Sequence, residues 1–551
     1  MTAETTRRVG TSTDEQGIPV ARSLTSPTQS TTRAEVVVPP GVVVPILFVP
    51  GIMGSNLRNK HTQESVWNAS SVIKLALQWA FRSAKTRQVK LDPETTEADP
   101  EGKIPEVAEY TGDDLSAQKL TEEQLRERGW GTVSNYGYGK FMAWFEPALN
   151  AGANNPWESL VGKAPAEWGA ESTPAPLDPP ESEDAWGVLC PVYGAGYNWL
   201  QSNGKSAVDL TRRIDEIIAE WRDKDVDGNK PYRCDKVILV THSMGGLVSR
   251  AAVHGSYGNA ASNVLGINHG VMPADGAAAS YHHVRSGYNG FSRLVLGKDG
   301  AQVTAIFANA CGPLELLPNT LYGNGWLKAV SNASGNNAEL FALPEADPYL
   351  EIYVKRDPWW RLIDPALIDP ANRSSASKAT GGVATDPWLD RYLPNLVVAD
   401  EFHANIGNTF HAPTYSHYGA DAARHSYQNI VWQTSQTVTL TRDELLGSPS
   451  VNARGWSALK LAFTLGKDNS DPARVMQGGD HVVFEIMAAA EAGDDTVPHN
   501  SGAGPFTRGG GNVRQSFKLD TMSKGHAASY DDENMRQITL HSIAKLIGEL
   551  E

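Results

Sequence analysis

The chain has 551 residues, 40% of them hydrophobic, enough to bury one large core or two. Its 48 basic and 63 acidic side chains leave a net charge of −15, which argues against nucleic acid as a partner and against electrostatic docking on an anionic membrane. Transient contact with a neutral lipid surface through apolar patches stays compatible with that charge. Three cysteines, Cys190, Cys234 and Cys311, cannot all pair within the chain and suit a reducing compartment or a fold that does without disulfides. No run approaches the roughly 20 apolar residues that span a bilayer. Arg7 and Arg8 are followed by no apolar core, so no secretory leader is expected, and the chain is expected in the cytoplasm unless a non-classical route exports it.

Residues 1–34 are rich in Thr, Ser and charge and are expected to be a disordered tail. The segment 35–57 follows. Its run Val42 to Val49 suits a fully buried strand and ends in Pro50-Gly-Ile-Met-Gly-Ser55, where glycines allow backbone to approach a ligand closely. Residues 58–184 hold acidic, proline-rich stretches at 91–105 and 164–183 with little strand pattern, and are expected to be an inserted cap. The core resumes over 185–274. Trp186 to Tyr193 reads as a strand, and Val208, Leu210, Ile214, Ile217, Ile218 and Trp221 fall near one face of a helix over 207–222. Asp223, Asp225, Asp227 and Gly228 copy the start of a calcium loop, but Cys234 stands where its last ligand, a Glu, belongs. We read this stretch as an acidic helix-to-strand turn.

Val237 to Thr241 then form a strand pattern that runs straight into Ser243, flanked by His242 and Met244 and followed by Gly245, Gly246 and an apolar helix pattern. That is the layout of a nucleophile elbow, a sharp strand-to-helix turn that lifts a serine hydroxyl to the top of a parallel sheet. Small residues are needed two places either side of the serine. Gly245 meets the need, while Thr241 stands where Gly is usual. An elbow predicts an oxyanion hole on an earlier loop, then an acid, then a histidine, in that order. The N–H of Met53, paired with that of Met244, is expected to cradle the oxyanion, each such donor supplying roughly 3–4 kcal/mol to the transition state.

Residues 275–479 are expected to be a second insertion, with Trp326, Trp359, Trp360 and Trp388 as either pocket walls or ordinary core, and a strand-like run from Gln436 to Leu440. His403, His411, His417 and His425 alternate with aromatic residues at spacings that fit no zinc motif, and read as polar edges of an aromatic region. No metal and no cofactor are expected. The core returns over 480–551. His481 to Met487 reads as a strand leading to the turn Gly493-Asp-Asp-Thr-Val-Pro498. Asp494 and Asp495 both qualify as the acid. Asp494 is favoured, because Asp495 can then turn toward the N–H groups of the Thr-Val-Pro turn. His526, just ahead of a helical pattern from Glu533 to Leu550, is the expected base; His499 lies too near Asp494, and His541 falls inside that helix.

Together the motifs predict an α/β fold with a doubly wound, mostly parallel sheet and large cap insertions, the α/β-hydrolase arrangement. The blocks Val49-Pro-Gly-Ile-Met-Gly-Ser-Asn-Leu57, Gly196-Tyr-Asn-Trp199, His242-Ser-Met-Gly-Gly246 and Gly493 to Pro498 resemble the lecithin:cholesterol acyltransferase-like group of α/β hydrolases, and are similar to the lipase-like GPI-inositol deacylases. The resemblance covers the core and not the insertions. It implies that Met53 and Met244 form the oxyanion hole and that Asp494 is the triad acid. Thr241 departs from the group's elbow, and Val264 to Pro273 stands where lipases carry a Pro-His-x-Gly turn, a departure that bears on substrate choice. The expected activity is hydrolysis of lipid or other hydrophobic acyl esters through Ser243, His526 and Asp494. Three alternatives stay open: an acyltransferase using the same acyl-enzyme, a phospholipase effector of a bacterial type VI secretion system, which long, cap-bearing chains without a leader resemble, and a catalytically silent scaffold, at which Thr241 hints.

Overall fold

The computed structural model describes residues 41–69, 72–107, 120–150, 156–172, 175–179, 188–225, 230–288, 292–374, 385–438, 440–448 and 481–550, with the backbone of 6–13, 19–21, 33–37 and 461–464. Six strands make the central sheet: β1 Ile46–Val49, β2 Val192–Gly194, β3 Val237–His242, β4 Val264–Gly270, β5 Thr414–Gly419 and β6 Val513–Leu519. Their spatial order is β2-β1-β3-β4-β5-β6, and every neighbouring pair is parallel. The chain steps from β1 outward to β2 and returns on the other side to β3. The strand order therefore reverses between β1 and β3, the place where open α/β sheets bind ligands.

A parallel sheet buried on both faces needs apolar side chains at consecutive positions, and β1 and β3 supply them. Leu47, Val49, Leu239 and Ile267 join one core, while Ile46, Phe48, Ile238, Val240 and Leu265 join the other. Helices α2 Asn203–Asp223 and α3 Gly245–Val253 cover the first face through Leu210, Ile214, Ile217, Trp221, Leu247 and Ala251. Helices α1 Asn135–Asn150 and α4 Glu533–Ile547 cover the second through Phe141, Phe145, Ile538 and Ile543. Each large apolar side chain so buried is worth roughly 1.5–3 kcal/mol. Val208, predicted on the buried face of α2, is 53% exposed.

Several segment assignments change. Helix α1 lies within 58–184, predicted as cap, yet Phe141 stacks on Phe145 and packs against Phe48 of β1, so this part is a crossover of the core. Strand β5 lies within 275–479, also predicted as insertion. Its sequence, Thr-Tyr-Ser-His-Tyr-Gly, is polar but buried, and Ser416 Oγ meets Ser516 Oγ of β6 at 2.7 Å. His481–Ile486, predicted as the core strand before the acid, pairs antiparallel with Ile430–Thr434 and Leu461–Thr464 in a separate five-stranded sheet. Its Val482 and Phe484 point into a third core with Trp326, Trp359, Trp360, Trp388 and Trp432. Those tryptophans are ordinary buried core. The extended run there is Ile430–Thr434; of the run predicted from Gln436 to Leu440, 436–438 are not in a strand and 439 lies outside the described residues.

Prolines interrupt two predicted strands. Val42–Val43 pairs with Val188–Leu189, then Pro45 and Pro191, which lack an N–H, break the ladder before β1 and β2 begin. Within the tail predicted as disordered, Thr6–Thr13, Pro19–Ala21 and Arg33–Val37 form a three-stranded sheet, and the rest of 1–34 lies outside the described residues. Among the described residues, no helix is long and apolar enough to cross a membrane.

Candidate active site

Strand β3 ends at His242, and α3 begins at Gly245, so the chain reverses within two residues. Ser243 carries the turn at φ +52, a left-handed conformation that costs an L-residue roughly 1–2 kcal/mol. Its N–H donates to Gly270 O of β4 at 2.9 Å, which holds the strained residue in place. A Cβ on Gly245 would lie 2.3 Å from Val49 O and 2.5 Å from Pro50 O, so only glycine lets the elbow rest on the loop after β1. Thr241 is accommodated differently. Its Oγ1 meets His269 Nδ1 of β4 at 3.0 Å, and alongside it Gly270 lets β4 come close, since a Cβ there would strike Tyr530 Oη and lie 2.9 Å from the Thr241 carbonyl. Just beyond, Val271 adopts φ +46 in the segment that replaces the Pro-His-x-Gly turn, a rare conformation for a β-branched residue.

The serine, histidine and first aspartate come together. His526 Nε2 lies 2.9 Å from Ser243 Oγ, and His526 Nδ1 lies 2.8 Å from Asp494 Oδ2. A carboxylate can only accept, so Nδ1 carries the proton and Nε2 is left to accept from the serine hydroxyl. Asp494 is 1% exposed; its Oδ1 accepts the N–H groups of Thr496 (3.0 Å) and Val497 (2.7 Å). Those are the donors predicted for Asp495. Asp495 instead takes φ +80 and faces Arg424 Nη1 at 2.7 Å, because the short strand Glu491–Gly493 delivers Asp494 inward and the next residue outward. Ser243 itself is 4% exposed.

Met53 sits at φ +62 in the turn after β1, which Gly54 N–H closes onto Gly51 O at 3.0 Å, and its carbonyl accepts Trp67 Nε1–H. Met244 is the N-cap of α3, next to the end of the helix where its dipole is positive. Neither the Met53 N–H nor the Met244 N–H has a partner among the described residues.

Two contacting residues were not singled out from the sequence. Gly51 N–H donates to Tyr138 Oη at 3.1 Å, Tyr138 Oη lies 2.8 Å from His242 Nδ1, and His242 Nε2 lies 2.8 Å from the His526 carbonyl. Burial, aided by the neighbouring His526, pushes the His242 ring down to about 3, so it is neutral at pH 7. His242 stood beside the serine in the motif. Tyr138 comes from a segment without any motif.

The metal-like patterns dissolve into separate contacts. His403 lies between Tyr349 Oη and Glu315 O, His411 meets Val264 O, and His417 packs on Tyr530. No group of three or more His, Cys, Asp or Glu able to hold a metal occurs among the described residues. Asp223 pairs with Lys230 at 2.7 Å, and 226–229 of that acidic turn lie outside the described residues. The three cysteines are unpaired.

A doubly wound parallel sheet, with an elbow at its order-reversal point and a histidine bridging serine and aspartate, defines an α/β hydrolase. No family model matches the chain, and no curated protein matches it. Among solved structures it is similar to one described as the crystal structure of the Tle4–Tli4 complex, with 30% identity over 92% of this chain and 99% of that one and a TM-score of 0.72. The chain belongs with that relative to the lipase-type group of α/β hydrolases. The narrower likeness to the lecithin:cholesterol acyltransferase-like subgroup rests on the motifs alone.

Proposed function

We propose that this chain is a serine carboxylic-ester hydrolase acting on lipid acyl esters, with Ser243 as nucleophile, His526 as base and Asp494 as the acid that orients it. The observation that carries the reading is the His526 ring, within hydrogen-bonding distance of Ser243 Oγ on one side and Asp494 Oδ2 on the other. His526 Nε2 takes the hydroxyl proton as Ser243 Oγ bonds to the ester carbonyl carbon, and Asp494 stabilises the resulting imidazolium. The carbonyl oxygen becomes an oxyanion held by the Met53 and Met244 N–H groups. Collapse of the tetrahedral intermediate expels the alcohol, which takes the proton from His526. Water then attacks the acyl-enzyme by the same route and releases the acid and free Ser243. Ser243→Ala is expected to keep the fold and abolish turnover of a p-nitrophenyl ester; retained turnover would rule the assignment out. A panel of short esters, triglycerides and phospholipids fixes the substrate class.

The likeness to the Tle4–Tli4 structure favours a more specific reading, a phospholipase effector of a type VI secretion system with a dedicated protein partner of its own. Forced export of the chain to the bacterial periplasm is then expected to arrest growth, and Ser243→Ala to relieve the arrest. Growth unaffected by active enzyme in the periplasm would remove this reading and leave the esterase.

A further inference from the structure

The contacts through Tyr138 and His242 join the two halves of the site. His242 is neutral, so one ring nitrogen donates and the other accepts. The His526 carbonyl can only accept, hence His242 Nε2 carries the proton and Nδ1 is the acceptor. Tyr138 must then donate its O–H to Nδ1, which leaves a lone pair on Oη for the Gly51 N–H. Every donor meets one acceptor along Gly51 N–H, Tyr138 O–H, His242 Nδ1 and Nε2–H, and His526 O, at 3.1, 2.8 and 2.8 Å. The ends of this chain are the loop that carries Met53 and the main chain of the residue whose ring meets Ser243. Tyr138 is 5% and His242 4% exposed, so water cannot readily stand in for either. Tyr138 is held in turn by Phe48 of β1, edge to face at 4.9 Å.

We propose that Tyr138 and His242 are positioning residues for the reaction proposed above: their hydrogen-bonded chain fixes the oxyanion loop and the His526 main chain relative to each other, so that the imidazole and the Met53 N–H address the same carbonyl. Neither residue touches the reacting atoms. The inference rests on the serine-hydrolase reading, and its test separates the two.

The test uses the full-length chain and a p-nitrophenyl ester, with active sites counted by a fluorophosphonate. Tyr138→Phe keeps the ring and removes the hydroxyl that donates to His242 Nδ1. A misplacement of this kind typically costs roughly tenfold to a hundredfold in rate. The expected result is a loss of that size in kcat per titrated site with KM within about twofold. Mere loosening of the fold would instead lower the titratable fraction and leave kcat per site alone. His242→Gln can restore both bonds, its amide oxygen accepting from Tyr138 and its N–H donating to His526 O, and is expected to keep more activity than His242→Leu. Wild-type kcat per site in Tyr138→Phe, or equal rates in the folded Gln and Leu variants, would overturn the proposal. If Ser243→Ala stays active, the hydrolase reading itself fails; if it is dead while Tyr138→Phe is unimpaired, only the positioning role fails.

Discussion

Asp494 and His526 are joined twice. The carboxylate Oδ2 meets the ring Nδ1 at 2.8 Å, and the His526 N–H donates to the Asp494 carbonyl at 2.7 Å. The second bond fixes the backbone from which the ring projects, so the aspartate sets both the orientation of the imidazole and its position.

This pairing is consistent with the choice of Asp494 over its neighbour that the sequence favoured. Asp494→Asn is expected to lower kcat roughly ten-thousandfold, because an amide can no longer hold the productive tautomer. Asp495→Asn loses only a half-exposed ion pair with Arg424, worth about 1 kcal/mol at most, and Asn tolerates its left-handed backbone. Steady-state kinetics of the two variants decide it, and comparable losses in both would contradict the assignment of roles.

The elbow makes a steric prediction. Gly245→Ala brings a methyl against two carbonyl oxygens of the main chain, which cannot swing aside, and is expected to cost about 1–3 kcal/mol or more. Gly447→Ala, where a Cβ meets nothing within 4 Å, serves as the neutral control. Urea unfolding of both variants measures the difference, and equal midpoints would show that the elbow can relax.

Stability is expected to fall on the acid side. Burial pushes His242 and His283 down to about 3 and His403 and His417 down to about 4. Above about 6.5 these rings are neutral folded and unfolded. As the pH drops from there toward 3–4, the unfolded chain binds protons that the folded chain refuses. Each ring then removes about 1.4 kcal/mol of stability per pH unit. His417→Phe, at a site where neither ring nitrogen has a hydrogen-bond partner among the described residues, is expected to lower that slope by one proton. Denaturant titrations at pH 7.5, 6 and 5 test this, and a flat profile across that range would refute it.

Glu315 has the opposite sign. Fully buried, it accepts the Asn203 N–H at 2.7 Å, and desolvation pushes its carboxyl up to about 8. Its contribution is complete below the ordinary carboxylate range and is lost as pH rises through about 8. Glu315→Gln keeps an acceptor for Asn203 without the ionisation, so its stability relative to the parent is expected to grow between pH 5 and 9. A constant difference over that range would show that Glu315 does not titrate there.

What the sequence disclosed follows the kind of constraint involved. Strands β1 and β3 announce themselves because burial on both faces demands consecutive Val, Ile, Leu and Phe, and the elbow because its clearances admit little beyond Gly at position 245. Strand β5 stayed hidden, since its burial is balanced by cross-strand partners such as Ser516 and not by apolar side chains. His481–Ile486 looked like core because alternating Val and Phe fit any buried strand, and nothing local says which sheet it joins. The choice between Asp494 and Asp495 turned on the direction in which one short strand delivers them. Tyr138 has no local signature at all. Its place depends on a contact with His242, 104 positions away.

The central sheet pairs strands that the chain makes far apart, with long segments outside this sheet interposed before β5 and again before β6, and the Ser243 to His526 contact closes a separation of 283 positions. Such non-local pairing gives a high contact order and slow refolding, because long loops must close before the contacts that reward closure exist. The edge of β4 must wait for β5, which follows a long intervening segment, and during that wait it is open to pairing with another chain. Refolding from denaturant is therefore expected to be concentration-limited, with yields that fall as protein concentration rises.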